Sequence, residues 1–296
     1  MPVALPTTLA SAIERRQLLF FIGAGFSKNI SPQVPSWDEV ISRSAVLLDY
    51  DAGVLKTQGD YLQIAEYLHL RNRLGDLYSL LDRELHAPHL DVATSVPHRL
   101  LPYFDTSFIF TTNWDSWIER GFEYELVPYN RLITQADFAT PRCWTPTPGT
   151  PPPATGATAS GGRRASPVTT IVKFHGDFAV ADSIVVRESH YYDRFDFEHP
   201  LDIRLRAEVI GRAVIFIGYS FSDPNVRYLW HKISKLTREA GAYSMSLSYF
   251  ITHIHNPLLI ELFRSKNIET ILLDPTDVGG DLERLLSEML GRQARS

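Results

Sequence analysis

The chain has 296 residues, enough for one large domain or two small ones, and its apolar share of 44% and charged share of 21% are those of an ordinary globular protein. Its 29 basic and 34 acidic residues leave a net charge of −5, which excludes a global field drawing it to nucleic acid or to an anionic membrane. A single cysteine, Cys143, excludes an intrachain disulfide and a multi-cysteine zinc site. No apolar run approaches the roughly 20 residues that span a bilayer. The N-terminus lacks the basic-then-apolar pattern of a secretory signal, so the expected location is cytoplasmic.

Residues 7–17 read as a short helix with Thr7 or Thr8 as its cap. Leu18 to Ile22 is a continuous apolar run, the mark of a strand covered on both faces, and it ends in Gly23-Ala24-Gly25-Phe26-Ser27. Glycines at such a turn permit a sharp bend and close approach, leaving backbone N–H groups aimed at one spot that suits a phosphate; a purely structural turn has the same appearance. Ser36 and Glu39 form a capping-box pattern that opens a helix reaching about Leu48. The pattern stays helical from Gly59 to Leu85, so the stretch from about 31 to 100 reads as a helical insertion after the first strand. Thr106 to Thr111 reads as a strand leading through Thr112 and Asn113 into a helix that starts at Trp114. Residues 145–167, rich in Pro, Thr, Gly and Ser and carrying Arg163 and Arg164, cannot bury enough apolar surface to order and are expected to form a mobile loop.

A strand from Thr170 to Phe174 runs into His175-Gly176-Asp177, and a helix is expected near 198–211. Ala213 to Ile217 is again fully apolar and ends in Gly218-Tyr-Ser220-Phe-Ser222-Asp223, followed by a helix to about 240. Strands near 247–252 and 268–273 and a helix from about Gly280 close the chain. Strands alternating with helices predict an α/β fold: a Rossmann-like open parallel sheet flanked by helices, forming one domain over 1–296.

The unusual polar residues fall just beyond the carboxyl ends of these buried strands. In one parallel sheet those ends share an edge, where ligands of such folds bind. Local alternatives stand beside this reading. Asn113 suits a cap for the helix at Trp114, Ser220 or Ser222 a cap for the helix after Asp223, and His175 a hydrogen-bonded core position. Asp115 suits a first-turn carboxylate favoured by a helix dipole. Asp137, Glu188 and Tyr191 are further candidates for lining the cleft. His253 and His255, two apart on a strand, would face the same side, but no third metal ligand accompanies them.

The ordered set Gly23-Ala-Gly-Phe-Ser27, Thr112-Asn113-Trp-Asp115, Phe174-His175-Gly176-Asp177 and Ile217-Gly-Tyr-Ser-Phe-Ser-Asp223 resembles the sirtuin family, most of all its zinc-free branch in prokaryotic defence proteins. The resemblance covers roughly residues 18–225. It implies NAD as substrate and no metal. Gly23, Ala24, Gly25 and Ser27 would cradle the pyrophosphate, with Thr112 and Asp115 in the neighbouring loop. Gly218, Ser220 and Asp223 would stand on the other side, Asn113 beside the nicotinamide ribose, and His175 would be the catalytic histidine. It implies an NAD⁺ hydrolase that releases nicotinamide and ADP-ribose. Such domains deplete NAD in response to phage when switched on by self-assembly into a homo-oligomer or by a separate sensor, such as a hexameric DNA-translocating ATPase or a short Argonaute-type protein. A non-catalytic NAD or ADP-ribose sensor and a protein deacylase or ADP-ribosyltransferase are the alternatives. Departures from the deacylase pattern are plain. One cysteine cannot build the four-cysteine zinc module, Pro35-Ser-Trp37 stands near where Asp-Phe-Arg follows the glycine turn, and Phe250-Ile-Thr-His253 lacks the asparagine that meets the adenosine ribose.

Overall fold

The computed structural model describes residues 5–35, 37–58, 61–150, 168–194, 196, 198–219, 227, 228, 230–232, 234, 235 and 247–296. Its centre is an eight-stranded sheet made of β1 (Leu18–Ile22), β2 (Phe108–Thr111), β3 (Tyr129–Leu132), β4 (Arg142–Trp144), β5 (Thr169–Lys173), β6 (Ala213–Ile217), β7 (Ser248–Thr252) and β8 (Ile268–Leu272). The order across the sheet is β4-β3-β5-β2-β1-β6-β7-β8. Every pairing is parallel except that of the edge strand β4 with β3. The chain therefore works outward from β1 in one direction and returns to its other side with β6, which makes the gap between β1 and β6 the topological switch point.

The apolar run of β1 is buried along its whole length because it is the middle of this sheet. Leu18, Phe20 and Ile22 face one core cluster and Leu19 and Phe21 the other, as the two-residue alternation of a strand requires. Each such side chain contributes about 1.5–3 kcal/mol when fully buried. Helices α1 (Thr7–Glu14) and, at the end of the chain, a long helix over Val278–Arg295 share the first cluster through Leu9, Ile13, Leu285 and Met289.

Between β1 and β2 lie five helices among the described residues: α2 (Trp37–Leu48), α3 (Ala52–Gln58), α4 (Tyr61–Leu70), α5 (Leu74–Leu85) and α6 (Val96–Leu100). They are the expected insertion, with one correction. The stretch read as continuously helical from 59 to 85 breaks at Arg71–Arg73, where Asn72 takes a left-handed conformation with φ of 54°. Helix α1 likewise stops at Glu14 because Arg16 is left-handed, and its cap position is Pro6 rather than a threonine. Thr8 instead accepts a hydrogen bond from the Tyr249 hydroxyl at 2.6 Å. Strands β3 and β4 do not follow from the sequence pattern: β3 is four residues with Asn130 and Arg131 in its middle and β4 is three residues, mostly exposed, too short and polar to show the period of a strand. After β2 come α7 (Trp117–Tyr124), then, past β5, α8 (Glu188–Tyr192) and α9 (Pro200–Val209), and after β7 α10 (Pro257–Arg264); the helix over Val278–Arg295 is α11. Ser36, read from the sequence as a cap, residues 151–167 of the Pro/Thr-rich segment with Arg163 and Arg164, and Ser220, Ser222 and Asp223 lie outside the described residues.

His98, on α6, is fully buried, with Nδ1 2.7 Å from Ser95 Oγ and its ring 4.2 Å from that of Phe26. Burial holds its pKa down at about 3, from an ordinary 6.5. As pH falls through 6.5, the unfolded chain takes up a proton that the native state refuses until about pH 3, so His98 weakens the fold across that window. A slope of up to about 1.4 kcal/mol per pH unit belongs to this one group. Urea unfolding of His98→Gln between pH 7 and pH 4 should show the pH slope of stability reduced by up to that amount relative to wild type.

Candidate active site

The strand register sets four loops at one level. Ile22 pairs with both Thr111 and Ile217, and Thr111 pairs with Lys173. The chain therefore leaves the sheet side by side at Gly23, Thr112, Phe174 and Gly218. Asn113 and His175 each stand two residues beyond a paired position, on the adjacent strands β2 and β5.

The glycine turn packs backbone on backbone against the loop after β6. Gly23 N–H donates to the Ile217 carbonyl at 2.9 Å and Gly25 N–H to that of Gly218 at 2.7 Å. Gly218 adopts φ of 62°, and a Cβ there would lie 2.1 Å from the Phe26 nitrogen. Glycine is thus demanded by the contact between two loops at the switch point as well as by any ligand. The expectation that the turn aims free N–H groups outward is corrected to this extent, because two of them are taken by the neighbouring loop. The chain then enters a short 3-10 helix, Ala24–Asn29, with Ala24 and Gly25 exposed and Phe26 and Ser27 buried.

Asn113 is buried, at 4% exposure, and its side chain is not a helix cap. Helix α7 begins only at Trp117, whose N–H donates to Asp115 Oδ1 at 3.1 Å. Asn113 Nδ2 donates to Ser27 Oγ at 3.1 Å and to the Gly23 carbonyl at 3.3 Å. Ser27 Oγ in turn donates to Asp115 Oδ2 at 2.7 Å. Both amide hydrogens are committed, which fixes the amide orientation and leaves Oδ1 buried with no hydrogen-bond partner among the described residues. A buried acceptor in that condition is costly unless something donates to it. Thr112, half-buried, spends its N–H on the Ile22 carbonyl at 3.3 Å.

His175 is buried between the ring of Phe174, 5.7 Å away, and that of Tyr191 in α8, edge-on at 5.5 Å. Its loop is held from below by Arg194, whose guanidinium lies 4.2 Å from the Phe174 ring centre and donates to the Phe174 carbonyl at 2.6 Å. The same guanidinium forks onto the buried carboxylate of Asp202 in α9. A cavity of about 270 Å³ opens beside this loop, lined in part by Thr134, Phe174, Gly176, Ser183, His190 and Arg194. Of the further cleft candidates, Tyr191 touches the histidine. Asp137 is consumed as a cap for Ile133 and Thr134 N–H, and Glu188 accepts from the exposed Tyr192 hydroxyl. His253 and His255 lie past the end of β7 and are exposed, so the same-side argument for them lapses. Among the described residues no group of three or more His, Cys, Asp or Glu side chains is placed to hold a metal.

Beneath the loops sits a charge cluster that the sequence reading missed. Lys173 is 0% exposed; its ammonium donates to the Asp115 carbonyl and lies 3.3 Å from Glu119 Oε1 and 3.4 Å from Asp177 Oδ2. Burial opposes the lysine charge, but Glu119, Asp177 and Asp115 outweigh it and hold its pKa above the ordinary range. Burial pushes the Glu119 carboxyl up against the pull of Lys173. The available signal was a lysine between the apolar residues Ile171, Val172 and Phe174. Nothing comparable marks Arg194 and Asp202.

An open, mostly parallel sheet with an amide, an imidazole and two glycine turns gathered past its carboxyl edge defines a Rossmann-like α/β protein, a class of fold in which ligands bind at that edge. The family model for the SIR2-like domain matches residues 107–271, more than half of the chain, and the chain belongs to that family. Among curated proteins it is similar to the NAD(+) hydrolase ThsA of Cytobacillus dafuensis, 24% identical over 230 residues, and to that of Enterococcus faecium, 25% identical over 237 residues. Each match covers 78% of this chain but only 40% and 42% of the relative, so the chain spans about two fifths of their length. A solved chain from work titled "Structural Basis for the Mechanism and Regulation of Sir2 Enzymes" aligns over 99% of this chain and 100% of its own, with 11% identity and a TM-score of 0.47.

Asp115 accepts from Ser27 with one oxygen and from Trp117 N–H with the other. Asp115→Asn keeps the shape but can accept with only one of the two, so it should lower stability to urea by about 1–3 kcal/mol. A change below about 0.5 kcal/mol would show that the network does not hold the loop.

Proposed function

We propose that this chain hydrolyses NAD⁺ at the nicotinamide–ribose bond, giving nicotinamide and ADP-ribose. The observation that carries the reading is Asn113 Oδ1, a buried acceptor whose amide is locked by Ser27 and Gly23, one strand from a buried histidine. Such an acceptor suits a ribose hydroxyl or an attacking water, each of which brings the missing donor. The names of the relatives, NAD(+) hydrolases, support the same reading for the part of them that this chain resembles.

The reaction needs little acid catalysis. The leaving nicotinamide is cationic in NAD⁺, so as the C1′–N bond breaks its electron pair neutralises the ring and no proton must be supplied to it. What remains is to fix the ribose, keep the pocket dry and place the nucleophile. In this proposal Asn113 holds the ribose hydroxyl or the water through Oδ1. The water oxygen bonds to C1′, and its proton passes, directly or through a ribose hydroxyl, to the imidazole of His175 and then to solvent. The exposed backbone of Ala24 and Gly25, with Gly23, runs along the pyrophosphate. Ser27 and Asp115 hold Asn113 rather than the ligand, given that the Ser27 hydroxyl is already donated. Thr112 and Gly218 border the same cleft, with Ser220 and Asp223 proposed on its far side. No metal enters the scheme.

On this reading the protein is a cytoplasmic effector of antiphage defence that depletes NAD⁺ when self-assembly or a separate sensor subunit switches it on. Among the described residues no helix is long and apolar enough to cross a membrane.

Purified protein incubated with NAD⁺, alone and with any copurifying partner, should release nicotinamide and ADP-ribose. Asn113→Ala and His175→Ala should each lower turnover by about 100-fold or more while NAD⁺ binding by calorimetry stays within a few-fold. Retained turnover in both variants would refute the role assignment.

A further inference from the structure

Lys173 ends β5 between Val172 and Phe174, where neighbouring positions are apolar and buried, and its ammonium reaches three separate elements. It donates to the carbonyl of Asp115, two residues past Asn113. It pairs with Asp177, two residues past His175, at 3.4 Å, and with Glu119 of α7 at 3.3 Å. Arg131 of β3 stands 3.6 Å from the same Asp177 oxygen. A buried ion cluster of this kind is poor as a source of stability, because apolar side chains of equal volume do as well without desolvating charge. Its distinctive property is directional: one cation must satisfy a carbonyl on one loop and a carboxylate on the next.

We propose that Lys173 is a positioning residue that sets the spacing between the Asn113 loop and the His175 loop. Neither loop can move relative to the other without stretching a contact to a side chain that has no water to turn to. The proposal rests on the reading of Asn113 and His175 as the reacting pair, but the linkage between the two loops exists without substrate and can be measured without it.

Lys173→Met alone strands Glu119 and Asp177 without their shared cation and is expected to fold poorly. Adding Glu119→Gln removes one of the two carboxylates and leaves Asp177 to Arg131, so Lys173→Met/Glu119→Gln is the working variant. Amide hydrogen exchange should be at least tenfold faster at residues 112–116 and 174–178 than in wild type, with β1 and β6 unchanged. With NAD⁺, kcat should fall about 100-fold with KM within threefold, the signature of misplaced reacting groups rather than lost binding. Unchanged exchange at the two loops, or a kcat within threefold of wild type in the folded double variant, overturns the proposal. Absence of NAD⁺ turnover in wild type under all conditions instead overturns the hydrolase reading, and the exchange comparison then decides on Lys173 by itself.

Discussion

The constraint on which this molecule depends is the in-register parallel pairing of its central strands. Ile22, Thr111, Lys173 and Ile217 lie in one row across β1, β2, β5 and β6. A slip of one residue in any of these strands would carry its buried side chains to the opposite face and its loop to a different height. Both core clusters are filled by side chains of unlike size and shape, whose close packing opposes such a slip, so packing far from the cleft helps fix where the polar loops emerge. Contact between the Gly25 and Gly218 backbones then closes the switch point, with no side chain tolerated at Gly218.

Polar groups that a stable core would exclude are concentrated directly beneath those loops. Lys173, Glu119 and Asp177 on one side and Arg194 with Asp202 on the other are all buried. Each set bonds to the backbone of a loop: the Asp115 carbonyl in the first case, the Phe174 carbonyl in the second. Ionic groups in a core are weak stabilisers but strict about geometry. Their placement here matches a need for fixed loops rather than for additional stability, and it leaves Asn113 Oδ1 as a buried acceptor in a rigid frame.

The helical insertion contributes to the same frame. Trp114, adjacent to Asn113, and Ile184 and Val186, beyond His175, belong to the cluster built by Ile64, Leu68, Leu77 and Leu81 of α4 and α5. Polar contacts reinforce it. His86 Nε2 accepts from Ser116 N–H at 3.0 Å, and Glu66 accepts from Ser189 N–H and Oγ at 3.1 and 2.9 Å at the start of α8. Helix α8 carries Tyr191, which packs on His175. The insertion is therefore a lateral wall for both loops, and its movement would be felt at both.

Much of this was legible in the residues. Fully apolar runs at 18–22 and 213–217 announced covered parallel strands, and glycines and polar residues placed just after such runs announced a shared edge, because burial on both faces and loop chemistry are local properties of the chain. The residues did not reveal β3 and β4, too short and polar to show a period, nor the break at Asn72, where a left-handed turn interrupts an otherwise helical pattern. Only the tertiary structure decided that Asn113 is no helix cap, that the Ser27 hydroxyl serves Asp115, and that Lys173 and Arg194 anchor the loops. Those facts join residues far apart in the chain, such as Ser27 and Asp115, and a hydrogen bond across such a distance leaves no mark on the sequence around either partner.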